Sequence, residues 1–169
     1  MKSPSVYKIA SALDRKFKSE EVYAHCDIPC GIYDPYAAQL AAHTVIRMDM
    51  LIEELGKSQV MDTESRNKMI RYVEVKEQHA ENVKHEVRVL WGDYFKPEHA
   101  EKFPELHGLV WEIMKKTSKC KQGTGIKESE ELLEAVKKMA VIFWKTKGVD
   151  TVEAKSFYPT ERTFVYPKV

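Results

Sequence analysis

Cysteine is scarce in this chain, and neither sign of charge is in useful excess. The 169 residues include three Cys, seven Gly and seven Pro, and 27 Lys and Arg against 26 Asp and Glu leave a formal net charge of +1. Three cysteines exclude a fully paired disulfide framework. Near-neutral charge excludes the basic footprint of a nucleic-acid binder, and no apolar run approaches the roughly 18–20 residues that a membrane span needs. At 43% hydrophobic residues the chain is too apolar for intrinsic disorder and long enough to bury a core without staples. The expectation is one soluble domain with neither nucleic acid nor membrane as partner. Reduced cysteines suit the cytoplasm or an organelle interior.

What is present is unevenly spread. Residues 1–24 carry five basic against three acidic side chains, a net +2, which leaves −1 for residues 25–169. In this leader Val6, Ile9, Leu13 and Phe17 recur at helical spacing, an amphipathic pattern interrupted by charge rather than the unbroken apolar stretch of a secretory signal. It ends Val22-Tyr23-Ala24, a weak match to a small-residue processing site.

Four helices are expected after it. Asp34-Pro35 caps the first, which runs to about Leu55, where Gly56 supplies a left-handed stop. Asp62 opens the second, with Met69, Tyr72, Val73, Val83, Val87, Leu90 and Trp91 on its apolar stripe to about Tyr94, and Pro97 marks its far boundary. A third spans about 104–118 on Leu106, Leu109, Val110, Ile113 and Met114. A fourth spans about 127–147 on Leu132, Leu133, Val136, Met139, Val141, Phe143 and Trp144. No alternating segment rivals these, so the fold class is all-α, an antiparallel four-helix bundle over residues 35–148. Residues 149–169, with Phe157, Tyr158, Phe164 and Tyr166 among Pro159 and Pro167, read as an extended C-terminal arm that either packs on its own bundle or is partly disordered, or else grips a neighbouring subunit.

The chemistry concentrates in His25-Cys26-Asp27-Ile28-Pro29-Cys30-Gly31-Ile32-Tyr33-Asp34-Pro35. Thiolates at Cys26 and Cys30 can meet on one ion if Pro29 and Gly31 curl the chain into a hook. If the chain is cut after Ala24, His25 gains a free α-amine. That amine, the Cys26 amide nitrogen and the Cys26 thiolate then close two fused five-membered chelate rings. With the Cys30 sulfur they make a planar N,S donor set of the kind Ni(II) favours, and the His25 imidazole can approach axially. Three plainer readings stay open at this point: a Cys26–Cys30 disulfide, half of a zinc site in a metal-binding or thiol-redox bundle, or two small apolar side chains at a turn. His43, His79, His85, His99 and His107 include no H-x₃-H pair to complete a zinc site. Cys120, between Lys119 and Lys121, reads as a lone thiol at a helix end.

The hook residues closely resemble the H-C-x-x-P-C-G-x-Y nickel hook of the nickel-type superoxide dismutases. Val89-Leu90-Trp91-Gly92-Asp93-Tyr94-Phe95-Lys96-Pro97, Phe103-Pro104-Glu105-Leu106-His107 and Ile142-Phe143-Trp144-Lys145-Thr146-Lys147 also look like that family, in order. The resemblance covers about residues 25–148. It implies a homohexamer of four-helix subunits with one nickel ion each, a leader (1–24) removed by a processing peptidase, and superoxide as substrate. It implies nickel ligation by His25 through α-amine and imidazole, by Cys26 through amide and thiolate, and by Cys30 through thiolate, with the hook spanning 25–34. Pro29 sets the turn, Asp27 anchors it, and Tyr33 and Tyr94 border the superoxide approach. Two positions depart from the family pattern: Ala41 stands where a Glu is often found and His79 where an Arg is usual. His79 is expected to retain part of that network by pairing with a carboxylate such as Asp93.

Overall fold

The computed structural model describes residues 31–57 and 62–168. Within it α1 (Tyr36–Gly56) and α2 (Thr63–Val89) pack side by side, α2 continues through one π-helical turn (Leu90–Tyr94), and a short α3 (Pro97–Lys102) leads into α4 (Leu106–Gln122) and α5 (Ile126–Thr146). The contacts α1–α2, α2–α4, α4–α5 and α5–α1 close a ring of four helices, the expected antiparallel bundle. Its centre is filled by Ala42, Val45 and Ile46 of α1, Val83 and Val87 of α2, Ile113 of α4, and Leu132, Met139 and Phe143 of α5, all fully buried. No helix among the described residues is long and apolar enough to cross a membrane.

Local chemistry sets the helix ends. Asp34 Oδ1 accepts from the Tyr36 amide at 2.7 Å, and Asp62 Oδ1 accepts from the Ser65 amide at 2.7 Å, so both expected acidic caps satisfy first-turn donors. Gly56 does not act as a left-handed stop. It is the last residue of α1, and Lys57 after it keeps right-handed φ −74°. The left-handed stop is Gly148, at φ +71°. There the Gly148 amide donates to Lys145 O at 3.1 Å and the Val149 amide to Trp144 O at 3.0 Å, the paired closure that a glycine after the last helical turn permits. Pro97 begins α3 rather than merely ending α2, because proline at a first helical position loses no intrahelical bond.

The expected stripe on α2 is buried only in its second half. Val83, Val87 and Leu90 are core, whereas Val73 and Trp91 are exposed, as is the neighbouring Ile70. One pair of buried charges joins α1 to α2: Lys76 Nζ lies 3.2 Å from Asp49 Oδ1 with both side chains almost fully buried, and also donates to Gly123 O. Burial raises the Asp49 carboxyl and the Lys76 ammonium opposes that shift. Cys120, 1% exposed, is pushed up to about 12, chiefly by burial and then by the Asp49 charge. It is an inert thiol.

The C-terminal arm folds back as an antiparallel hairpin, β1 (Thr151–Lys155) against β2 (Thr163–Pro167), on the face made by α1 and α5. β2 is the inner strand. The buried Gln39 amide grips its backbone, donating to Val165 O at 3.1 Å and accepting from Val165 N at 2.8 Å, which substitutes for a third strand. His43 stacks on Phe164 at 4.0 Å, its Nδ1 2.8 Å from Thr160 Oγ1 and its Nε2 3.4 Å from Thr163 O. Lys137 on α5 pairs with Glu153 at 2.8 Å and Arg162 with Glu130. Of the two dispositions expected for the arm, packing along its own bundle is the one observed within the chain.

Candidate functional site

Aromatic side chains from three distant stretches meet at one end of the bundle. Gly31, at φ +94°, turns the chain in a region that glycine adopts without steric cost, and Tyr33 follows, partly buried against the core. Its ring centroid lies 5.4 Å from that of Tyr94. The π-helical turn explains how Tyr94 gets there: the Phe95 amide donates to Leu90 O at 3.0 Å, a five-residue closure that re-phases the last residues of α2. Such turns inside α-helices are rare and occur often at functional positions.

Tyr94 is held on every side. Its ring contacts Phe143 at 4.6 Å, Phe95 at 5.2 Å and His99 at 5.7 Å, the last in stacked geometry. Lys147 Nζ stands 5.4 Å from its centroid and 5.1 Å from that of Phe143, within cation–π range. The hydroxyl lies 2.6 Å from Thr146 Oγ1. Because the single Thr146 proton is directed to Phe143 O at 2.6 Å, the Tyr94 O–H is the donor to Thr146. Its lone pairs remain as acceptors.

Of the residues expected to carry function, Tyr33 and Tyr94 are brought together. His25, Cys26, Asp27, Pro29 and Cys30 lie outside the described residues. Among the described residues no group of three or more His, Cys, Asp or Glu is arranged to hold a metal ion.

The expected His79–Asp93 pairing does not form. Both residues leave the same helical rod fourteen positions apart, about 20 Å along its axis, and Asp93 is exposed. Among the described residues His79 instead has a buried Nδ1 without a hydrogen-bond partner, and Ala41 is a core residue of α1, 5% exposed. Thr146, Lys147, Phe143 and His99 were not singled out as site residues. The Ile142–Lys147 block pointed to the neighbourhood, but a pairing 52 residues away from Tyr94 leaves no periodic trace.

Comparison with known proteins covers nearly the expected stretch of about 25–148, beginning five residues earlier, inside the expected leader. The family model described as nickel-containing superoxide dismutase matches residues 20–147. The chain is similar to superoxide dismutase [Ni] of Streptomyces seoulensis, 41% identical over 127 residues that make up 75% of this chain and 91% of that protein. It is also similar to that of Streptomyces coelicolor (strain ATCC BAA-471 / A3(2) / M145), 39% identical over 126 residues, 75% of this chain and 90% of the other. A crystal structure of Ni-containing superoxide dismutase, with ligation corresponding to the oxidized state, superposes with a TM-score of 0.63 at 40% identity, covering 73% of this chain and 99% of that one.

Proposed function

The chain belongs to the nickel-containing superoxide dismutases, and on that premise we propose that it disproportionates superoxide to O₂ and H₂O₂ at a nickel site made by its own N-terminal hook. It is a nickel-dependent oxidoreductase with one nickel ion per subunit. The observation that carries the reading is the intact hook sequence, His25, Cys26, Pro29, Cys30, Gly31 and Tyr33 in register, running directly into the described Tyr33–Tyr94 contact.

Nickel, when bound, supplies a one-electron Ni(III)/Ni(II) couple that oxidises one superoxide and reduces the next. His25 would hold it through α-amine and imidazole, Cys26 through amide nitrogen and thiolate, and Cys30 through thiolate. Removal of residues 1–24 creates the amine, so a processing peptidase is a required partner. Pro29 and Asp27 shape the hook. Only two residues separate Cys30 from Tyr33, so chain connectivity alone keeps their Cα atoms within about 11 Å of each other. Tyr33 and Tyr94 border the approach of superoxide. Since the Tyr94 proton is committed to Thr146, its oxygen orders water rather than protonating product. His79, with its buried Nδ1, stands where the family's usual Arg is expected. Assembly is as a homohexamer, in the cytoplasm or an organelle interior.

Replacing a thiolate tests the assignment. Cys26→Ser and Cys30→Ser are each expected to lose stoichiometric nickel and all superoxide disproportionation, while helix content by circular dichroism is unchanged. Turnover retained in either variant removes that residue from the ligand set.

A further inference from the structure

The hairpin lies beyond the last residue, 147, that the family model matches, and its two edges are treated differently. Hydrogen bonds flank the ladder at Lys168 N to Asp150 O, 2.8 Å, and Ser156 N to Arg162 O, 3.1 Å. Bonded pairs in an antiparallel ladder recur at every second residue. With Val152 opposite Tyr166 and Ala154 opposite Phe164, the inward-bonded residues of β1 are therefore Val152 and Ala154. Thr151, Glu153 and Lys155 turn their N–H and C=O groups outward. On β2 the outward groups of Val165 are both taken by Gln39. On β1 the outward groups have no partner among the described residues, and residues 152–155 are all exposed.

An open edge is a template for another strand, and charge decides which one. β1 places Glu153 and Lys155, opposite in sign, at consecutive outward positions. We propose that two copies of this chain join through β1, edge to edge and antiparallel, forming one four-stranded sheet with Ala154 on the two-fold axis. In that register Glu153 lies opposite Lys155 of the second copy and Lys155 opposite its Glu153. Both are hydrogen-bonded pairs that exchange N–H···O bonds in each direction. The small Ala154 side chains meet at the axis. The fully exposed Phe157 comes opposite Thr151 of the second copy. A register centred on Glu153 instead sets that carboxylate against itself, which like-charge pairing disfavours. The interface is isologous and closes on two copies. Lys137, already 2.8 Å from Glu153, adds to the positive field that holds the carboxylate ionised.

Site-specific cross-linking tests this. In the full chain, Ala154→Cys places two Cβ atoms about 4.5–5.5 Å apart across the axis, close to disulfide range. In Val152→Cys the equivalent atoms stand about 13 Å apart along the strands. Mild oxidation followed by denaturing, non-reducing electrophoresis is expected to give a covalent dimer from Ala154→Cys alone, above the level of the unmodified chain treated in parallel. Adding Lys155→Glu, which sets like charges opposite each other twice, weakens the association about tenfold or more and removes most of the cross-link. Equal cross-linking of Val152→Cys overturns the register. No dimer from Ala154→Cys, or a cross-link indifferent to Lys155→Glu, overturns the interface.

Discussion

At the scale of single residues, two side chains carry opposite lessons about proton position. His43 is 2% exposed, and burial, assisted by the nearby Lys137 and Arg162 charges and opposed by Thr163 O, lowers it to about 4. The imidazole is therefore neutral in the fold, with its proton on Nε2 facing the Thr163 carbonyl and Nδ1 accepting from Thr160. An unfolded histidine takes its proton near pH 6.5. The contribution of His43 is complete above that pH and is lost as pH falls toward about 4, a loss of the order of 3 kcal/mol. Urea unfolding followed between pH 7 and pH 5 is expected to show this decline, and His43→Gln to flatten it. Tyr94 has its proton fixed by Thr146 rather than by burial. Thr146→Val is expected to cost about 1 kcal/mol and to change the KM for superoxide while leaving nickel content unchanged, which separates a water-ordering tyrosine from a metal-holding one. Neither fact is legible in the sequence, because both depend on partners more than fifty residues away.

At the scale of elements, α1 and α2 are joined by a buried ion pair whose loss is easier to predict than its benefit. Lys76→Met leaves the Asp49 carboxylate buried without its ammonium and is expected to destabilise the protein by about 3–5 kcal/mol; Asp49→Asn in the same chain recovers much of that. Chemical denaturation of the two variants checks it, and equal stability of both contradicts the account. The helices themselves were legible because apolar residues at three- and four-residue spacing reveal a buried face and Asp34 and Asp62 mark starts by the bonds they accept. Where reading failed, the competing interaction is identifiable. On the first half of α2 the stripe stays at the margin of the core, with Met69 and Tyr72 half-buried and Val73 exposed, while Val83, Val87 and Leu90 enter it. Gly56 offered a left-handed stop that the chain does not use, whereas Gly148 does. The π-helical turn at Leu90–Tyr94 has no periodic signature, since five residues are too few to show a changed period. The hairpin escaped as a hairpin because its inner strand is held by the side chains of Gln39 and His43, which the alternation of apolar residues in β2 does not announce.

At the scale of the whole molecule, the bundle, the hook sequence and the aromatic end form the part shared with the nickel-containing superoxide dismutases, and the hairpin is an addition that covers α1 and α5. The hook was legible as a sequence pattern, because a cysteine pair next to a histidine, a proline and a glycine is compact and local; His25, Cys26 and Cys30 themselves lie outside the described residues. Its surroundings were legible only as blocks of resemblance. Ala41 packs in the core of α1, and the buried Nδ1 of His79 has no hydrogen-bond partner among the described residues.

The central claim is that the site does not exist until the leader is gone. It is tested most directly by measuring bound nickel and superoxide disproportionation side by side for the full chain and for a chain beginning at His25, with intact mass confirming each N-terminus. The account predicts one nickel per subunit and rapid turnover for the chain beginning at His25, and neither for the chain that retains Met1. An active, nickel-loaded protein whose mass includes residues 1–24 would contradict it.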